Sequence, residues 1–174
     1  MNERNDSSQS CIKICKIINL RPKALVADKK IFMQEKFVAK SSAVIQASAK
    51  KVWEYLTTPE LIKQYLFGTE AVSEWKVGSP IIYKGVWEGK TYEDKGIIQK
   101  FEPEKLLVCT YWSSFSGLPD LPENYQVVSY ELVAEGQSTV LNITQDKVPS
   151  EQSKEHSEKN WGMVLQGLKT LLEK

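Results

Sequence analysis

A single histidine, scarce cysteine and almost no net charge set the first limits on what this chain can be. With His156 as the sole imidazole, Cys/His zinc sites lack their ligands, and histidine-based catalysis has one candidate only. That candidate lies in a polar stretch, on the opposite side of the closing helix from Trp161, and reads as solvated. Cys11, Cys15 and Cys109 are an odd number divided between a tail and a strand, so no disulfide framework can be drawn. A reducing cytoplasm is the expected compartment. The Cys11 and Cys15 pair has no further Cys or His nearby, and no metal is expected. No run approaches the roughly 20 apolar residues that span a bilayer, and MNERNDSSQS holds no signal-like apolar core. A net charge of +1 gives no electrostatic case for nucleic acid or for an anionic membrane.

Catalytic motifs are missing as well. There is no phosphate-binding glycine loop, no Gly-x-Ser-x-Gly elbow and no His-Glu-x-x-His pair. Glu93 and Asp94 are consecutive in a strand, so only one can face an interior. A lone inward carboxylate would orient a ligand, or act as acid or base if burial raised its pKa. No catalytic residue is assigned, and no cofactor is expected.

What remains is an ordinary globular composition. The 174 residues are 41% hydrophobic and 26% charged, which suits one domain. Residues 1–36 carry eight Lys/Arg against four acids, whereas the rest carries 15 against 18. Residues 1–33 are read as a basic, poorly structured extension, with a partner-binding arm or an extra element as the alternatives. Residues 34–174 form the domain.

Within that domain the periodicity is legible. EKFVAKSSAVIQA alternates as a strand, Ser48 caps the short helix AKKVWEYLTT, and Thr58-Pro59-Glu60 opens a second helix stopped by Gly68. Six strands follow, EAVSEW, IIYKGVWE, TYEDKGIIQKF, KLLVCTYW, NYQVVSYELVA and STVLNITQD, separated by tight turns and one longer loop, SSFSGLPDLPE. Ser150 caps a closing helix whose second half, NWGMVLQGLKTLLEK, puts Trp161, Val164, Leu165, Leu168, Leu171 and Leu172 on one stripe. Gly162 and Gly167 flank that stripe. A helix-interior glycine costs roughly 0.5–1 kcal/mol relative to alanine, so a close neighbour is expected at both. The fold class is α+β: a curved antiparallel sheet of about seven strands, in the order β-α-α-β6-α, with the long C-terminal helix across its concave face.

Several stretches carry a family resemblance: ASAKKVWEYLTTPELIKQYL, VGSPIIY, KGIIQKFEPEKLLVCTYW, STVLNIT and NWGMVLQGLKTLLEK. Together they resemble the activator of heat-shock protein 90 ATPase homologue-like family of stand-alone bacterial domains, within the START and birch-pollen-allergen (helix-grip, SRPBCC) superfamily. The likeness covers about residues 36–174. Two positions depart from it: Asn160 precedes Trp161 where the family has glycine, and Gly78-Ser79 stands for its Gly-Gly. The resemblance implies a hydrophobic cavity between sheet and C-terminal helix, or a chaperone-directed interaction surface, or a cyclase or hydrolase.

Strand alternation then nominates the cavity wall. Ile81, Tyr83, Gly85 and Trp87 share one face of their strand, and Leu106, Val108, Thr110 and Trp112 one face of another. Val128, Tyr130 and Leu132 stand opposite Leu141 and Ile143, with Tyr92 and Ile98 between. The expected lining is Tyr83, Trp87, Tyr92, Ile98, Val108, Thr110, Trp112, Tyr130, Trp161 and Leu165. Such a wall suits an apolar, lipid-like or aromatic small molecule, and the same residues would equally fill a solid core. An apolar ligand is the expected partner, a chaperone the second, with neither nucleic acid nor membrane insertion expected.

Overall fold

In a computed structural model, residues 37–174 are described; the expectation for residues 1–33 lies outside them. The chain runs β1 (Phe37–Ile45), α1 (Ala49–Thr57), α2 (Pro59–Tyr65), β2 (Glu70–Ser73), β3 (Pro80–Trp87), β4 (Lys90–Glu102), β5 (Leu106–Tyr111), β6 (Gln126–Glu135), β7 (Ser138–Val148) and α3 (Glu151–Leu172). Local chemistry sets several boundaries. The Ser48 side chain accepts from Lys51 N–H at the head of α1, and Ser150 does the same for Ser153 N–H at the head of α3. Pro59 occupies the first turn of α2, where its missing N–H costs nothing.

All strands pair antiparallel in the order β1-β7-β6-β5-β4-β3-β2. β1 and β2 are therefore opposite edges, and α1–α2 is the bent connection between them. Register irregularities at Phe37/Ala39 in β1 and at Ile98/Lys100 in β4 add the local bend that bulges impose. The curved sheet wraps the apolar half of α3. Leu165 and Leu168 are buried together with Ile62 of α2 and with Leu141 and Ile143 of β7. Each such side chain contributes about 1.5–3 kcal/mol by leaving water.

α3 is tied to the β1 edge at both ends. Lys40 N–H donates to Glu158 (3.1 Å), and at the other end Gln46 N–H donates to Glu173 (2.8 Å) while Lys169 Nζ donates to the Val44 carbonyl (2.6 Å). His156 is exposed and pairs with Asn160.

The two helix glycines differ. A side chain at Gly167 would meet Tyr65 of α2 at ordinary contact distance, 3.4 Å from its carbonyl, so this is where α2 and α3 approach. Gly162 is exposed and has nothing within 4 Å. The expectation of a close neighbour there is corrected: position 162 faces away from the sheet. The crowded glycine lies elsewhere. At Gly96 a Cβ would fall 1.6 Å from the Thr110 carbonyl oxygen, because β5 closes onto the β4 backbone there. No helix among the described residues is long and apolar enough to cross a membrane.

Candidate functional site

The interior space lies where α2, α3 and the concave face of the sheet converge. Tyr65 and Leu66 close it at the end of α2, Tyr83 and Tyr130 rise from β3 and β6, and Trp161, Val164 and Leu165 descend from α3. Its free volume is about 20 Å³, room for one water and far below the roughly 300–1,000 Å³ of a ligand pocket. The site is closed in this structure.

Four of the ten nominated residues meet here: Tyr83, Tyr130, Trp161 and Leu165. Trp161 is fixed from two sides. Its Nε1–H donates to Gln145 Oε1 (2.7 Å), and its ring meets Tyr130 edge to face. Gln145 is itself buried and donates through Nε2 to Gln126 Oε1, so a polar chain from β6 through β7 orients the indole.

Two more nominated residues share the concave face without lining the space. Ile98 is fully buried in the core, and Tyr92 lies further along β4, its ring against Gly85 and its hydroxyl 2.6 Å from Thr69 Oγ1. Trp87 stands at the end of β3, half exposed, packed edge-on against Phe67 (centroids 5.7 Å apart).

Val108, Thr110 and Trp112 are on the opposite face. Leu107 and Cys109 are the buried residues of β5, with Leu107 paired to Phe101 and Cys109 to Val128. Expecting Leu106, Val108, Thr110 and Trp112 to point inward inverted the strand. The physical reason is the β4 bulge together with apolar residues on both faces of LLVCTYW, which leaves alternation without a sign. Thr110 Oγ1 instead accepts from Ile97 N–H (2.8 Å), and Trp112 lies under Lys95 with its Nε1–H donating to the Leu118 carbonyl.

Asp94 is the inward carboxylate, and Glu93 points outward to Lys84. Both Asp94 oxygens are engaged: Oδ2 accepts from the Tyr111 hydroxyl (2.8 Å) and Oδ1 from Ser114 N–H (3.0 Å). The next residue, Lys95, reaches the same loop from the other face and pairs with Asp120 at 2.6 Å. Consecutive side chains thus anchor both sides of the loop after β5. Asp94 is bound up in structure.

Burial pushes the tyrosine hydroxyls of the site upward. Tyr65 is raised by burial alone; Tyr83 and Tyr130 are raised well above the ordinary value, first by burial and then by neighbouring charge, that of Cys109 leading at Tyr83 and that of Tyr83 leading at Tyr130, countered at Tyr83 by its hydrogen bond with Tyr130. Cys109, beneath them, is pushed up to about 12 by burial. All remain neutral, and the tyrosine hydroxyls remain able to donate, at physiological pH. Tyr65 escaped sequence reasoning because a helix C-terminal aromatic next to Leu66 reads as generic core. Its three-residue spacing from Ile62, also buried, was the available signal.

The family model described as Activator of Hsp90 ATPase homolog 1-like protein matches residues 46–173. The solution structure of a protein from Cytophaga hutchinsonii is 47% identical, with a TM-score of 0.69 over 79% of this chain and 94% of that one. The Aha1 dimer from Colwellia psychrerythraea, at 21% identity, has a TM-score of 0.63 over 79% and 96%. A protein in the dynemicin biosynthetic locus, at 17% identity, has a TM-score of 0.65 over 79% of this chain and 47% of its own. At such identities the last two show the fold alone. No curated protein matches the sequence.

Proposed function

We propose that this chain, which belongs to the activator of Hsp90 ATPase homolog 1-like family, binds a small apolar molecule between its sheet, α2 and α3. The observation that carries the reading is the composition of the closed space: aliphatic walls with three tyrosines and a tryptophan among the lining residues. Packing for stability alone favours aliphatic fillers, since hydroxyls taken from water cost energy unless partnered.

Binding requires the space to widen, and the corner between α2 and β2 is the element suited to do so. Phe67 holds a left-handed backbone (φ 52°), strained for a bulky residue, and Gly68 follows at φ 79°. The corner is held by the Thr69–Tyr92 hydroxyl contact, the exposed Lys63–Glu70 pair and the half-exposed Phe67–Trp87 packing. α3, by contrast, is seated through buried Val164, Leu165 and Leu168. Cytoplasmic residence belongs to the same proposal, and the free buried thiol of Cys109 supports it.

A titration with the neutral apolar dye N-phenyl-1-naphthylamine tests the reading. Saturable fluorescence enhancement at one site per chain is expected, and an absence of saturable enhancement up to the dye's solubility would overturn it.

The outer face favours a second reading. Val72, Val86 and Ile97 are exposed on β2, β3 and β4, and the family description names a chaperone ATPase. A protein-interaction role predicts altered ATP turnover when the domain is added to an Hsp90-type chaperone. Unchanged turnover at saturating domain counts against it.

A further inference from the structure

The binding reading leaves the ligand's chemistry open, and the wall of the space narrows it. Every residue around the space is Leu, Ile, Val, Tyr or Trp; none is Lys, Arg, His, Asp or Glu. The nearest inward carboxylate, Asp94, is held by Tyr111 and Ser114, and the cation on the core half of α3, Lys169, is turned outward to the Val44 carbonyl and Glu173. An anionic head group seated here would meet no opposite charge, and an unpaired buried charge is strongly disfavoured. The polar side chains present are Tyr65, Tyr83 and Tyr130, of which Tyr130 is hydrogen-bonded to Tyr83, and Trp161, whose N–H is already given to Gln145.

From this juxtaposition we propose that the ligand is a neutral aromatic carbonyl compound, its ring between the Tyr130–Trp161 pair and the aliphatic wall and its oxygen accepting from the Tyr83 hydroxyl, which itself accepts from Tyr130. Ring-on-ring contact with Trp161 and Tyr130 favours a flat body over a flexible acyl chain. A carboxylate of the same size is rejected because the site offers it donors without charge. The proposal rests on the binding function above and goes further in naming the ligand class.

Three naphthalenes of matched shape test it, each titrated by calorimetry: 2-acetylnaphthalene, 2-ethylnaphthalene and ionised 2-naphthoate. The acetyl compound should bind best, with naphthoate weaker by at least about tenfold. Tyr83→Phe should lower affinity for the acetyl compound by about fivefold, the size of one lost neutral hydrogen bond, Tyr130→Phe should lower it less, and both should leave that for the ethyl compound unchanged. Naphthoate binding as tightly as the ketone, or Tyr83→Phe binding the ketone like the parent, overturns the ligand class while the binding function stands. If none of the three binds, the binding function itself falls. Because each Phe substitution removes one oxygen only, and the ethyl compound reports whether the pocket is intact, a folding defect is separable from a recognition defect.

Discussion

Trp161 of α3 meets Tyr130 of β6 edge to face, with ring centroids 5.8 Å apart and planes at 89°. That contact joins the closing helix to the middle of the sheet at the border of the interior space. It depends on Gln145, whose Oε1 receives the indole N–H. Trp161→Phe keeps a ring and deletes the donor, leaving the buried Gln145 oxygen short of a partner. A loss of about 1–3 kcal/mol in urea unfolding is expected, whereas a variant as stable as the parent would remove the Gln145 chain from the reasons for the helix's placement.

Two glycine substitutions should move in opposite directions. Gly96→Ala drives a methyl group into the Thr110 carbonyl and should cost about 2–4 kcal/mol as β4 and β5 part. Gly162→Ala meets nothing and should stabilise α3 by about 0.5–1 kcal/mol through helix propensity. Thermal unfolding of the pair decides both at once.

Asp94→Asn tests whether the inward carboxylate holds structure. The amide can replace only some of the bonds to Tyr111 and Ser114, so a loss of about 1–2 kcal/mol is expected. Amide-exchange rates should rise in residues 113–125, with dye binding unchanged. Lost binding in a folded variant would bring Asp94 into the site after all.

Alkaline pH should destabilise the protein for a specific reason. Tyr65, Tyr83, Tyr111 and Tyr130 are raised above the ordinary value of 10.0, and Cys109 above its ordinary 9.0 to about 12, burial being the largest cause in each. On raising the pH, the unfolded chain gives up these protons first while the folded chain keeps them. Stability is therefore fully present below about pH 9 and falls as pH climbs toward 12. The slope approaches about 1.4 kcal/mol per pH unit for each group that ionises only on unfolding. Urea midpoints measured across that range check the sign, and a flat profile contradicts the burial of these hydroxyls.

Much of the fold was legible because local signals agreed. Ser48, Pro59 and Ser150 marked helix starts, and the seven strands lay between recognisable turns. The site was legible only where a strand was apolar on one face. Tyr83 beside Lys84, and Tyr130 beside Glu131, announce their inward side, and both line the space. β5 announces nothing, since Leu106, Leu107, Val108 and Cys109 are all apolar, and its sign is set by pairing with Phe101 and Val128 across a bulge. Gly162 misled for a related reason: a missing side chain signals equally a close neighbour and open solvent.

The same contrast supplies the most direct test of small-molecule binding. Trp161 and Trp112 each have an indole N–H, one at the interior space and one on the outer face, held by Gln145 and by the Leu118 carbonyl. In a ¹H–¹⁵N spectrum titrated with N-phenyl-1-naphthylamine, the Trp161 indole resonance should shift and saturate while that of Trp112 stays in place. A stationary Trp161 signal, or movement of Trp112 alone, would contradict binding between the sheet and α3.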